Sequence, residues 1–164
     1  MRTYTAYFML LDHCLVLKMF KVGSAYLFRV PEDEELVTYL TGFAKKVGVR
    51  VGVISGIGAL KGCTLGFYDQ KLEGYEHIKI DEEVELTNLT GNISIKEGEP
   101  FVHAHAVVGK RDGTTYSGHL FEARVFVAEV AVLELVGGPE LVREKIGGLW
   151  LWRPAERLRQ LPRG

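Results

Sequence analysis

Cysteine is scarce in this 164-residue chain: there are two, Cys14 and Cys63, and no C-x-x-C pair. A pair is too few for the disulfide framework of a small secreted module, and the expected compartment is the cytoplasm. Two Asn, two Gln and three Met complete a short supply of thermolabile side chains, compatible with a heat-adapted source. Long apolar runs are missing as well. The apolar stretches 7–11 and 14–17 are interrupted by Asp12 and His13, well short of the roughly 18 residues of a membrane span, so no membrane partner is expected. Arg2 is the only leading charge and no small-residue cleavage site follows, which argues against a signal peptide. Nor is there an excess of one charge. With 20 Lys plus Arg against 21 Asp plus Glu, the net charge is −1, and a protein gripping nucleic acid with its whole surface is excluded.

What is present is ordinary globular material, 47% hydrophobic and 25% charged, in a length suited to one domain. Neither an internal repeat nor a low-complexity linker divides it. Regular patterning starts at Met19. Residues 1–18 are therefore expected to be an extension, or to precede the physiological start, and residues 19–152 to form the domain. The final segment, 153–164, carries four Arg and one Glu, a charge of +3, which leaves −4 for residues 1–152 of a chain whose total is −1. Such a tail reads first as a solvated, partly helical end. Its sharper reading is a weak phosphate-contacting arm, the one place where DNA could be touched.

Alternation predicts a strand over 21–30, with Ala25, Leu27 and Arg29 on one side and Tyr26, Phe28 and Val30 on the other. After Pro31, the acidic run Glu32–Glu35 suits a helix N-terminus. Leu36, Val37, Leu40, Phe43, Ala44 and Val47 then recur at helical spacing, and Gly48 is the expected stop. Strands follow near 49–54, 62–68, 74–80, 83–95, 101–109, 114–121 and 124–135, separated by turns such as Ser55–Gly58 and Lys96–Pro100. A short helix from Pro139 to Lys145 and an apolar stretch, 149–152, end the domain. The expected class is α+β, a mainly antiparallel sheet flanked by one main helix and a short C-terminal helix.

Chemistry concentrates in Phe101-Val102-His103-Ala104-His105-Ala106-Val107-Val108. Strand side chains alternate, so His103 and His105 share one face while Val102, Ala104, Ala106 and Val108 point to the core. Residues 109–113 signal a turn and 114–121 the returning strand of a hairpin. Two registers are open. If Val108 faces Thr114, His103 lies opposite His119; if the loop is only Arg111–Gly113, with Gly113 left-handed, His105 does. Either brings three imidazoles to one face, with opposed Cβ atoms about 4.5–5.5 Å apart. A bulge at Gly118 would turn His119 away. Neutral imidazoles suit zinc, and three protein ligands with a fourth position open to water characterise a catalytic site. The plainer alternative is a set of hydrogen-bonded strand histidines without metal.

His13 and His77 stand alone and read as structural or surface residues. Glu97, Glu99 and Glu122 flank the hairpin and are candidate orienting partners or a general base, although turn solubility explains them more simply. Ser55-Gly56-Ile57-Gly58 lacks an immediately following helix and is a poor phosphate cradle, better read as a tight connection. Asn88-Leu89-Thr90 and Asn92-Ile93-Ser94 match a glycosylation pattern that matters only in a secretory context.

The ordered set 54–60 (ISGIGAL), 65–69 (LGFYD), 84–93 (VELTNLTGNI), His103-Ala104-His105 and Gly118-His119-Leu120 resembles the PPC domain shared by plants and prokaryotes, over about residues 19–152. The resemblance implies a compact α+β domain that assembles as a homotrimer. It also implies a metal site at His103, His105 and His119, as in prokaryotic members, and a possible kinship with proteins described as DNA-binding. The AT-hook of plant relatives is absent, and the histidines that plant copies replace are kept. Two functions follow as expectations: a nonenzymatic trimeric module, DNA-associated and regulatory, or a zinc-dependent hydrolase acting on a small polar substrate.

Overall fold

The computed structural model describes residues 19–153. The expected N-terminal extension, and all of the basic tail but Arg153, lie outside the described residues. Strand β1 spans Lys21–Val30, with the two faces that its alternation predicts: Tyr26 and Phe28 turn inward and Leu27 and Arg29 outward. Helix α1 covers Leu36–Val47 and buries Leu36, Leu40 and Ala44 as one stripe. Phe43 packs edge-on to Tyr26 and tilted against Phe28, at 5.3 and 4.4 Å between ring centres, which fastens the helix to β1. Within the acidic run that precedes the helix, Glu35 is the cap: its carboxylate accepts from the N–H groups of Val37 and Thr38 at 3.0 and 2.7 Å. The other helix end closes on Gly48, left-handed at φ 79°.

Five more strands complete the main sheet: β2 (Gly52–Asp69), β3 (Gly74–Ile80), β4 (Val84–Lys96), β5 (Glu99–Gly109) and β6 (Thr115–Val136). Their order is β1-β6-β5-β4-β2-β3, antiparallel throughout, and β2 also pairs with β6. The ring β2–β4–β5–β6 is thereby closed, and α1 packs across β5 and β6. Inside lie Leu60, Leu65, Leu86, Leu89, Ile93, Val108 and Val125, together with the buried stripe of the helix.

Two expected breaks are continuous strands. Ser55–Gly58 is neither a turn nor a cradle but the middle of β2, and the two segments predicted at 114–121 and 124–135 form one 22-residue β6. Register slips at Gly56/Gly58, Ala59/Leu60, Leu60/Gly62 and Thr64/Leu65 account for both. Each bulge bends a strand and resets the parity of its faces while pairing continues, so alternation is lost without a turn.

The short C-terminal helix is overturned. Residues 139–145 are extended, and β7 (Arg143–Ile146) forms a hairpin with β8 (Leu149–Trp152) through Gly147–Gly148. Burial there has period two: Leu141 and Arg143 are buried and Val142 between them is not. The N–H of Ile95 donates to the carbonyl of Leu141 at 2.8 Å, so this segment joins the sheet at β4. The extended backbone buries Leu141, pairs with β4 and β8, and turns Arg143 inward.

Glu35 also accepts from the N–H of Ala123 in β6, at 3.2 Å, so one carboxylate ties the helix start to the ring. Replacing Glu35 by Ala is expected to cost about 1–2 kcal/mol. A lower urea midpoint with an unchanged slope would confirm this; an unchanged midpoint would refute it.

Candidate metal centre

The β5–β6 hairpin adopts the second of the two open registers. Gly113 is left-handed at φ 86°, Gly109 faces Thr115, and His105 lies directly opposite His119. His103 stands two residues back on the same face of β5, while Val102, Ala104, Ala106 and Val108 are buried on the other face. Ring centres of the three histidines are 5.0–5.5 Å apart in every pairing. One nitrogen from each lies within 4.8 Å of the others. The bulge that could have turned His119 away falls elsewhere, between Glu122 and Leu120, where β6 slips against β2. At Gly118 itself, a Cβ would meet the carbonyl oxygen of Gly66 at 2.5 Å. Glycine there lets β2 and β6 approach, which holds the adjacent His119 at the site.

His103 and His119 are half-buried and His105 is exposed, so the cluster opens to solvent on one side. Burial is the main cause that pulls His103 down to about 4 from the ordinary 6.5, helped by the cationic Arg143 and the other two histidines. Burial does the same to His119, also to about 4, with smaller effects from His105 and Arg143. Both rings are neutral at pH 7 and can offer a lone pair without first losing a proton. The Nδ1 atom of His119 is buried with no hydrogen-bond partner among the described residues. An unsatisfied imidazole nitrogen beside two other imidazoles fits a metal ligand set of borderline-soft nitrogen donors, the chemistry zinc favours.

Arg143 is the functional neighbour that sequence reasoning missed. It is 6% exposed and comes from β7. Its Nε donates to Ser94 Oγ at 2.7 Å, Nη1 to the carbonyl of Trp150 at 2.7 Å, and Nη2 to Asn92 Oδ1 at 2.9 Å. Nη2 also lies 3.3 Å from His103 Nδ1. Phe101 and Trp152 flank the guanidinium, at 5.4 and 5.7 Å from Cζ to the ring centres. Asn92 and Ser94, which in the sequence suggested only a glycosylation pattern, are its anchors. The available signal was the alternation Leu141, Arg143 before a Gly-Gly hairpin.

The candidate carboxylates are not at the site. Glu97 occupies the left-handed turn position between β4 and β5, and Glu99 pairs with Lys45 at 3.1 Å. Glu122 faces Thr64 in a groove shared with Lys61, Lys79 and Arg124. His77 stacks on Phe121, 4.4 Å between ring centres, apart from the three-histidine set. Cys63 is a buried free thiol whose burial pushes it up to about 11, and it takes no part in the cluster.

The depressed histidines make acid sensitivity predictable. Unfolded histidine takes up a proton near pH 6.5, whereas His103 and His119 in the folded protein resist it until about pH 4. Their contribution to stability is full above 6.5 and is lost as pH falls from there toward 4. Metal-free protein should show a falling Tm across that window. The His103→Gln, His119→Gln double variant should show a shallower fall, and an equal slope in both proteins would refute the assignment.

The family model of the Plants and Prokaryotes Conserved (PCC) domain matches residues 17–136. Among solved structures, a plant- and prokaryote-conserved (PPC) protein of Pyrococcus horikoshii is 44% identical. The similarity covers 86% of this chain and 99% of that one, with a TM-score of 0.82. A metal-containing protein of Archaeoglobus fulgidus is 38% identical, over 84% of this chain and 98% of that one, with a TM-score of 0.79. A Bacteroides thetaiotaomicron protein whose name proposes DNA binding is 31% identical, over 82% and 96% of the two chains, at a TM-score of 0.72. No curated protein matches. The ordered motifs, the fold and these relatives agree, and the chain belongs to the family of the plants and prokaryotes conserved domain.

Proposed function

We propose that the protein is a cytoplasmic, homotrimeric module of this family that holds zinc at His103, His105 and His119 and associates with DNA through the basic residues after Trp152. The observation that carries the metal part is the approach of three imidazole nitrogens within 4.8 Å, two of the rings held neutral by burial. The metal-containing relative from Archaeoglobus fulgidus supports it. Zinc would leave a fourth position on the side of the exposed His105 and would there act as a Lewis acid toward whatever binds.

Self-association is supported by an exposed sheet face with large apolar side chains. The rows Leu27–Ala131–Ser55, Arg29–Glu129–Ile57 and Ala25–Leu133–Val53 cross β1, β6 and β2 side by side. Leu27 is 83% and Ile57 58% exposed, around a groove of about 510 Å³. Exposed Leu27, Ile57, Val53 and Leu133 beside the charged Arg29 and Glu129 make a mixed apolar and polar face, the composition of a protein interface. Compartment rests on the cysteine usage; among the described residues no helix is long and apolar enough to cross a membrane.

DNA association is supported by the relative from Bacteroides thetaiotaomicron and by the +3 segment. Arg153 is already engaged with Glu144 at 2.6 Å, so Arg157, Arg159 and Arg163 are the residues proposed to meet phosphate. The hydrolase reading draws on the same three ligands and the open fourth position. Against it stands the absence, among the described residues, of any of the candidate glutamates beside the histidines to act as a general base.

Elemental analysis and light scattering of one purified sample test the main reading: one zinc per chain and a mass three times that of the monomer are expected. His103→Ala should lose the zinc, and a zinc-free protein after zinc addition would overturn the metal assignment. For DNA, fluorescence anisotropy of a labelled duplex should show affinity falling with salt. The expected log–log slope is about −2.7 for three tail arginines, and deletion of 154–164 should abolish binding. Binding that survives the deletion, or ignores salt, would remove the tail from the proposal.

A further inference from the structure

The guanidinium of Arg143 is a buried cation whose neighbours are all neutral. Its partners are a hydroxyl, a carbonyl, a side-chain amide oxygen and an imidazole nitrogen. Among the described residues no carboxylate pairs with it, and burial alone moves its proton affinity. Buried charges are ordinarily matched by an opposite charge, because desolvation of an unpaired ion is costly. Flanking aromatic faces, those of Phe101 and Trp152, lessen that cost without neutralising the charge. A flanking ring carries a second unsatisfied group: Trp152 Nε1, a donor only, is buried without an acceptor among the described residues.

The contact with His103 makes this charge depend on the metal. Arginine can only donate, so the 3.3 Å approach requires His103 Nδ1 to accept and places the ring proton on Nε2. Neither nitrogen is then free for a metal while that contact lasts. If His103 binds metal through Nε2, its proton must move to Nδ1, where it faces the Arg143 N–H; if it binds through Nδ1, the metal displaces the arginine directly. In both cases one Nη2–H is released beside a dication held by three neutral ligands. Charge there rises to about +3 with no carboxylate near.

Resting on the metal reading of the three histidines, we propose that Arg143 is an oxyanion-recognition residue of that centre, and that its ligand is a small molecule bearing a carboxylate or phosphate group. One oxygen of the ligand would complete the coordination of the metal and another accept from Arg143, with Nε1 of the flanking Trp152 as a further donor. Arg143 lies beyond the residues matched by the family model, which end at 136.

Cobalt(II) loaded into the full chain reports the test through its visible spectrum, and zinc affinity by calorimetry reports it without any activity. In wild type, acetate or methyl phosphate should shift the cobalt bands and tighten zinc binding at least 10-fold. The two anions distinguish carboxylate from phosphate as the favoured group. Arg143→Met should bind zinc as tightly as wild type or more so, yet show less than a 2-fold anion effect. Arg143→Lys, which keeps the charge but not the fork, should retain an intermediate effect. Should Arg143→Met fail to fold, Arg143→Lys together with Trp152→Phe decides, each being expected to weaken the anion effect by 3-fold or more. Zinc binding with no anion effect in wild type, or an effect unchanged in the variants, overturns this proposal and leaves the metal reading standing. Failure of wild type to bind zinc or cobalt overturns both.

Discussion

Strand β6 is hydrogen-bonded to three partners along its 22 residues: β5 at its start, β2 through most of its length and β1 at its end. The pairing with β2 closes the ring β2–β4–β5–β6, and the remaining architecture depends on that closure. A hairpin alone could slip by two residues and exchange His103 for His105 opposite His119. Here a slip of β5 against β6 would also break the register of β6 against β2, where Gly66 faces His119, and of β5 against β4, where Asn92 faces His103. Register is therefore over-determined, which is what a ligand set built from three separate side chains requires. Bulges are the cost of closing so small a ring, and they bend β2 and β6 without releasing their hydrogen bonds.

Those bulges also explain what could be read from the sequence. Helix α1 and the Ala25–Val30 part of β1 were legible residue by residue because their periods are unbroken there and Pro31 and Gly48 punctuate them. The histidine face was legible for the same reason, since 101–108 alternates without fault. Ser55–Gly58 was not, because a glycine pair inside a bulged strand has the same local composition as a turn, and only pairing with β4 and β6 distinguishes the two. Choice of hairpin register was likewise left open by the residues and decided by the left-handed Gly113. Arg143 was invisible for a different reason: its anchors Asn92 and Ser94 lie about fifty residues upstream, and a lone arginine in an apparently amphipathic segment carries no local mark. The helix expected at 139–145 failed at that point, where strand pairing with β4 and β8 outweighed local propensity.

Electrostatically the site is unusual for its lack of negative charge among the described residues. Zinc centres commonly have carboxylates that accept from the ligating imidazoles and orient them. In this protein the side-chain contact to His103 is a donor, and the acidic candidates are committed elsewhere, Glu99 to Lys45 and Glu122 to a lysine-lined groove. A positive neighbour lowers the affinity of neutral imidazoles for a dication and at the same time raises the affinity of the loaded centre for an anion. On the proposed reading, metal and anion bind cooperatively, each supplying the charge or the neutralisation that the other needs.

The hairpin β7–β8 links this centre to the end of the described chain. Arg153 donates its N–H to the carbonyl of Val142 and its guanidinium to Glu144, so the first residue of the basic segment is fastened to the strand that carries Arg143. Lys96 adds to the same fastening through the Trp150 ring, 4.3 Å away. A variant cut before Arg153 would therefore remove two contacts that hold β7 extended, and a loss of DNA binding in it could equally be a loss of the metal neighbourhood. Truncation after Arg153 separates the two, because it removes Arg157, Arg159 and Arg163 while keeping the contacts among the described residues that place Arg143 beside His103.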